Sequence, residues 1–176
     1  HDILEKKNEI ELFKEISEIL KEEGFTKQMG LSIYDTNDIN SNIIESIDRI
    51  QIPDNLYLQR PYEEILFFKK FSLCIDVRSI FLQGIIPNEI INFKKTIPNL
   101  VINHQKKVIL ESKKRGIKMY DLAVNYIKNM PYSNIVIGVD KSIQIKEFFN
   151  SINKNINIDN LKSFKLDSPL VDPRKW

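Results

Sequence analysis

Asn134-Ile135-Val136-Ile137-Gly138-Val139, residues 134–139, is a short run rich in β-branched apolar residues. It leads through Asp140-Lys141-Ser142 into a segment with Ile145, Phe148, Phe149 and Ile152 at helical spacing. A continuous apolar run of this length, bounded by turn residues, reads as a strand buried on both faces. The pair is therefore one strand-to-helix unit, and its neighbours repeat it.

Working back along the chain, Leu73 to Phe81 reads as a strand, followed by a longer connection, a helix from Pro98 to Arg115 stopped by Gly116, and a helix from Tyr120 to Met130 stopped by Pro131. Arg49-Ile50-Gln51-Ile52 is a strand ending at Pro53, and Pro61 to Phe71 is its helix. Met29 to Tyr34 is a strand, with Asp35-Thr36 as capping residues before Ile39, Ile43, Ile44 and Ile47. Glu9 to Glu23 places Phe13, Ile16, Ile19 and Leu20 on one helical stripe and ends at Gly24. Strands and helices alternate four times, the pattern of parallel strands covered by crossover helices. A doubly wound sheet and a β/α barrel both satisfy it.

In either fold, chemistry collects at the C-terminal ends of the strands. Ser32 closes one strand, Gln51 stands between two isoleucines, and Arg78-Ser79 interrupt a third. Strand neighbours face opposite ways, so Gln51 projects away from the side served by Ile50 and Ile52. A neutral amide carries both donor and acceptor, the pairing a carboxamide ligand needs, and a hydroxyl can do the same. Ser32 and Gln51 equally fit buried polar groups that satisfy backbone or water, and Arg78 can pair with Asp76. Gly138 to Ser142 forms a strand-to-helix turn whose backbone N–H groups favour an anion, with Lys141 adding charge, although ordinary helix capping explains the same residues.

Composition narrows the classes. The 176 residues amount to one domain, whereas a complete β/α barrel needs about 250. Basic and acidic residues, 26 and 24, are well mixed, so no stripe argues for nucleic acid or anionic lipid. Lys106-Lys107 and Lys113-Lys114 read as a solvated helix face. Cys74 is the single cysteine; it excludes an internal disulfide or a thiolate metal site and fits a reducing cytoplasm. No apolar run approaches the roughly 18–20 residues of a membrane span. His104 lies within a helix without partners that would make a metal or nucleophile–base set. A first residue of histidine rather than methionine suggests a processed, excised or incomplete start.

The segments GLSIY, RIQIPDNLYLQR, VRSIFLQGII and IVIGVDKSIQIKEF resemble, in that order, blocks of the aldo-keto reductases over nearly the whole chain. The resemblance implies an α/β fold, the C-terminal half of a (β/α)8 TIM barrel with about four complete parallel strands. Residues 1–176 would be a partial aldo-keto reductase domain lacking its N-terminal half. It also implies an oxidoreductase that reduces an aldehyde or ketone to an alcohol with NADPH, with NADH not excluded.

The site residues follow from the same resemblance. His1 stands where the family's catalytic histidine closes the fourth strand. Ser32 and Gln51 would contact the nicotinamide carboxamide, with Ile33 in place of a common asparagine. Arg78-Ser79-Ile80-Phe81-Leu82-Gln83-Gly84 corresponds to a loop that wraps the cofactor pyrophosphate, Arg78 replacing a stacking aromatic ring and Ile80 a proline. Gly138, Asp140, Ser142 and Gln144 align with residues around the adenosine 2′-phosphate and adenine, Lys141 being the evident cation and Phe148 replacing an asparagine. The ending SPLVDPRKW is similar to those of bacterial members associated with surface-polysaccharide sugars.

The family's proton-donating tyrosine, its lysine and its aspartate belong to the first three strands, so the chain alone is expected to be inactive. A half barrel leaves two sheet edges and an apolar interior open to water, which calls for the missing half or a second copy. The partners expected are thus a small carbonyl substrate and a complementary half barrel or self, not nucleic acid or membrane. The competing reading is a non-catalytic half barrel that binds cofactor or mediates an interaction.

Overall fold

A computed structural model describes residues 7–35, 39, 41–89 and 96–176. The chain divides into two compact units. The first comprises His1–Pro53, Pro61–Arg78 and Tyr132–Ile135, and the second comprises Asp54–Arg60, Ser79–Pro131 and Val136–Trp176.

The first unit holds α1 (Lys7–Glu22), β1 (Gly30–Ser32), α2 (Ser41–Ile44), β2 (Arg49–Pro53), α3 (Tyr62–Lys69), β3 (Cys74–Arg78) and β4 (Asn134–Ile135). The strands form one parallel sheet in the order β1-β2-β3-β4. Sequential order in a parallel sheet requires every connection to cross over, which the intervening helices supply.

The register sorts the strand residues into two faces. Leu31, Ile50 and Ile75 form one row and Ile52, Val77 and Ile135 the next on the same face. Ile50, Ile52, Ile75 and Val77 are wholly buried, and burying each such side chain is worth roughly 1.5–3 kcal/mol. Helix α3 packs against β3 and buries Ile65 and Phe68.

The opposite face carries Arg49 beside Cys74, and Ser32, Gln51, Asp76 and Asn134 in a single row, with Arg78 beside Pro53. It is polar. Asp76 organises it: Arg49 Nε lies 3.1 Å from Asp76 Oδ2, and Asn134 donates to Oδ1 at 2.8 Å.

Three strands are shorter than the sequence suggests, β1 being Gly30–Ser32 within the expected Met29 to Tyr34. β3 stops at Arg78 because Ser79 turns into the left-handed region at φ 61°. β4 keeps only Asn134 and Ile135 of the run that reaches Val139. The helix expected around Ile39 to Ile47 is a single turn, Ser41–Ile44. Helix α1 matches its expected span and ends at Gly24, where φ is 74°. Its apolar stripe is only partly covered, since Leu12, Ile16 and Ile19 stay exposed while Ile10 is buried.

The second unit holds α4 (Asn99–Lys114), α5 (Met119–Lys128) and α6 (Ser142–Ile152), followed by 3-10 turns up to the C-terminus. α5 packs on both α4 and α6 and is buried along almost its whole length. Gly116, at φ 65°, ends α4 by letting Ile117 N–H reach back to Ser112.

Buried polar groups pin the segment Asp54–Arg60. Asp54 Oδ1 accepts from the backbone N–H groups of Asn55 and Arg60, and Oδ2 accepts from Tyr126 Oη at 3.0 Å. Tyr57 donates to Gln105, whose amide donates in turn to the carbonyls of Ile86 and Asn88. His104 Nε2 lies 2.8 Å from the Phe164 carbonyl, and its ring meets Tyr57 edge-on at 4.7 Å. Burial holds the imidazole below its ordinary pKa. His104 thus ties α4 to the C-terminal segment.

Candidate functional site

In the first unit, the parallel register brings Ser32, at the end of β1, beside Gln51, in the middle of β2. Ser32 donates its hydroxyl to Gln51 Oε1 at 3.3 Å. Ser32 is exposed and Gln51 half-buried, so both remain accessible on the polar face. Ile33 turns inward and is buried, which accounts for an apolar residue there.

Arg78 is held by its own neighbours. Its guanidinium lies over the Tyr34 ring at 4.6 Å, and Nη2 donates to the Ile33 carbonyl at 3.3 Å. A planar cation stacked on an aromatic face is an ordered pair, so Arg78 presents a fixed charge at the end of β3.

The second unit contains a cavity of about 570 Å³. Its walls come from two stretches far apart in sequence, Ser79 to Gly84 and Val136 to Asp140, with Gln144 and Glu147 from α6 and Tyr120 from α5. Of the residues expected to hold cofactor, it gathers Ser79, Phe81, Gln83, Gly84, Gly138, Asp140 and Gln144. Lys141 and Ser142 are exposed at the start of α6 and are not among the lining residues. His1 lies outside the described residues.

The first wall is conformationally strained. Ser79, Leu82, Gln83 and Gly84 all have positive φ, between 45° and 81°. Each non-glycine residue held so costs on the order of 1–3 kcal/mol and persists only where its surroundings enforce it. Here Asn55 donates to the Ser79 carbonyl at 3.4 Å, while Ile80, Leu82, Ile85 and Ile86 are buried beneath the loop. The loop thereby lines the cavity from Ser79 to Gly84, while Ile85 and Ile86 anchor it from beneath.

Two features of the other wall differ from a bare anion-binding turn. Gln144 Oε1 accepts from Asp140 N–H at 2.7 Å and from Lys141 N–H at 2.9 Å. Those two groups are satisfied from within the chain, as in a capping box. Phe148 is buried on the inner side of α6, which leaves Glu147 as the lining residue beyond Gln144.

Tyr120 and Glu147 were not anticipated as lining residues. Tyr120 stacks on Phe81 with ring centroids 4.8 Å apart and an interplanar angle of 27°. Burial, then the carboxylates of Glu147 and Asp121, raise its hydroxyl pKa. Glu147 follows Gln144 by three residues, one helical turn, so the periodicity of α6 contains the signal for it. Nothing in the sequence marks Tyr120, because its stacking partner is remote along the chain.

Among the described residues, no group of three or more His, Cys, Asp or Glu side chains could hold a metal ion, and no helix is long and apolar enough to cross a membrane.

No family model matches the sequence, and comparison with curated proteins finds no match. Solved structures do match. The apo form of an aldo-keto reductase from Bacillus halodurans superposes with a TM-score of 0.69 at 17% identity, over 93% of this chain and 57% of that one. Its holo form gives 0.67 at 18%, over 88% and 55%. The glycerol dehydrogenase from Gluconobacter oxydans gives 0.61 at 17%, over 85% and 50%. The chain thus spans just over half the length of the barrels it matches. With its four parallel strands in sequential order, it has the α/β fold of about half an aldo-keto reductase barrel.

Proposed function

We propose that this chain is the cofactor-holding half of a carbonyl-reducing β/α barrel whose whole converts an aldehyde or ketone to an alcohol with a nicotinamide dinucleotide. The observation that carries this is the cavity of the second unit, which draws together seven expected cofactor residues from the Ser79–Gly84 loop and the segment Gly138 to Gln144. Its volume, about 570 Å³, is of ligand size, and ligand pockets commonly run to about 300–1,000 Å³. Strain concentrated in the loop that lines it fits a functional wall. The family resemblance points to NADPH through Lys141.

When bound, the dinucleotide supplies hydride, and the new alkoxide needs a proton from a positioned acid. Tyrosine can serve only if its pKa is brought down towards neutrality. The hydroxyls of Tyr57 and Tyr126 move the other way, pushed up by burial and, for Tyr126, by Asp54. Tyr120 is raised as well. By the family resemblance the acid belongs to the first three strands of the barrel, and Ser32 and Gln51 serve to orient the carboxamide ring.

The second reading, a non-catalytic interaction module, draws on the exposed apolar side chains of the first unit. Leu12, Ile16 and Ile19 on α1 and Leu66 and Phe67 on α3 lie open to water, as does Phe71 just beyond α3. Exposed apolar side chains gathered on two helices fit association with a complementary half barrel or a second copy.

Titrating the chain with reduced dinucleotide and then adding a panel of aldehydes tests the proposal. Saturable binding without turnover is the expected result. Turnover above background would show that the acid is present, and a folded chain that binds no dinucleotide would remove the cofactor role.

A further inference from the structure

We infer that the cavity of the second unit selects the dinucleotide lacking a 2′-phosphate, NADH rather than NADPH, through the carboxylates of Asp140 and Glu147; this rests on the dinucleotide reading above. The charge of the walls carries the argument. Asp140 and Glu147 both line the cavity, and the described lining residues include no lysine or arginine. Lys141, the cation expected to favour a phosphate, is exposed and is not among them.

A carboxylate next to a ribose accepts hydrogen bonds from its vicinal hydroxyls, whereas a 2′-phosphate requires an arginine or comparable cation at that place. Two anionic side chains facing a doubly charged phosphate add repulsion and offer no donor. The turn cannot compensate fully with backbone groups. Gln144 Oε1 already accepts from the N–H groups of Asp140 and Lys141, two of the donors such a phosphate would recruit. Glu147 lines the cavity together with Tyr120, so its negative charge belongs to the same wall. The Phe81–Tyr120 stack contributes a flat aromatic wall suited to a purine.

The test uses ligands that contain only the adenosine end. ADP-ribose and 2′-phospho-ADP-ribose are titrated calorimetrically into the chain at low ionic strength, where exposed carboxylates are least screened. NADH is titrated in parallel. ADP-ribose is expected to bind about tenfold or more tightly than its 2′-phosphorylated counterpart. In Asp140→Asn and Glu147→Gln variants, checked for folding by circular dichroism, that ratio falls towards one.

Equal or tighter binding of the 2′-phosphorylated ligand would overturn the inference and leave the dinucleotide reading intact. So would NADH binding while neither adenosine ligand binds, since the cavity would then not be the adenosine end. Failure of all three ligands to bind a folded chain would overturn both.

Discussion

Ser32 Oγ donates to Gln51 Oε1 at 3.3 Å across the pair β1–β2, and the two residues are direct register partners. The contact follows from parallel pairing. Side chains alternate between faces with a period of two, so the register that buries Ile50 and Ile52 must turn Gln51 and its partner Ser32 to the other side.

Gln51→Leu removes the amide while keeping a side chain of similar size. Stability should change by no more than about 0.5 kcal/mol, because Gln51 is only half-buried and Ser32 is exposed. Binding of a nicotinamide dinucleotide should weaken by about tenfold, close to 1.4 kcal/mol. Urea denaturation and ligand titration on the same variant separate the two effects, and an unchanged affinity would remove Gln51 from the cofactor contacts.

Gly30→Ala tests the sheet itself. A Cβ at Gly30 would sit 2.3 Å from the Arg49 carbonyl oxygen and 2.5 Å from Arg49 Cγ, and the first of these is backbone that cannot step aside. Overpacking of this kind costs about 1–3 kcal/mol. A fall in urea midpoint of that size is expected. A neutral result would mean that β1 does not approach β2 at this register.

Tyr126→Phe takes one donor from the buried Asp54 carboxylate and should cost about 1–3 kcal/mol at neutral pH. The pH dependence gives a second readout. Tyr57 and Tyr126 both hold their protons above the ordinary tyrosine value of 10.0, chiefly through burial. Above that pH the unfolded chain releases protons that the folded chain keeps, so stability is full below it and declines as pH rises. The alkaline decline should be shallower in Tyr126→Phe than in the parent, measured as urea midpoints from pH 8 to about pH 11.

The strand–helix alternation was legible because it rests on local patterns: the runs at Arg49–Pro53 and Cys74–Arg78, the glycine stops at Gly24 and Gly116, and the proline starts at Pro61 and Pro98. Strand lengths were not. Val136 to Val139 have strand composition, yet the paired segment ends at Ile135. The Ser79–Gly84 wall could be read from resemblance, since a turn motif is contiguous in sequence. Tyr120 and the role of Gln144 could not, because stacking on Phe81 and capping of Asp140 and Lys141 are decided by the fold of α5 and α6. The polar face around Asp76 was missed for a related reason. Its partners Arg49 and Asn134 lie on two different strands and meet only through the register.

Hydrogen exchange measured by mass spectrometry, with and without saturating NADH, tests most directly whether the second unit's cavity is the dinucleotide site. Backbone amides of Ser79 to Gly84 and of Val136 to Gln144 should gain protection while those of Asn155 to Asn157, which line a separate cavity, should not. Protection confined to other segments, or none in a chain that binds NADH, would contradict the assignment.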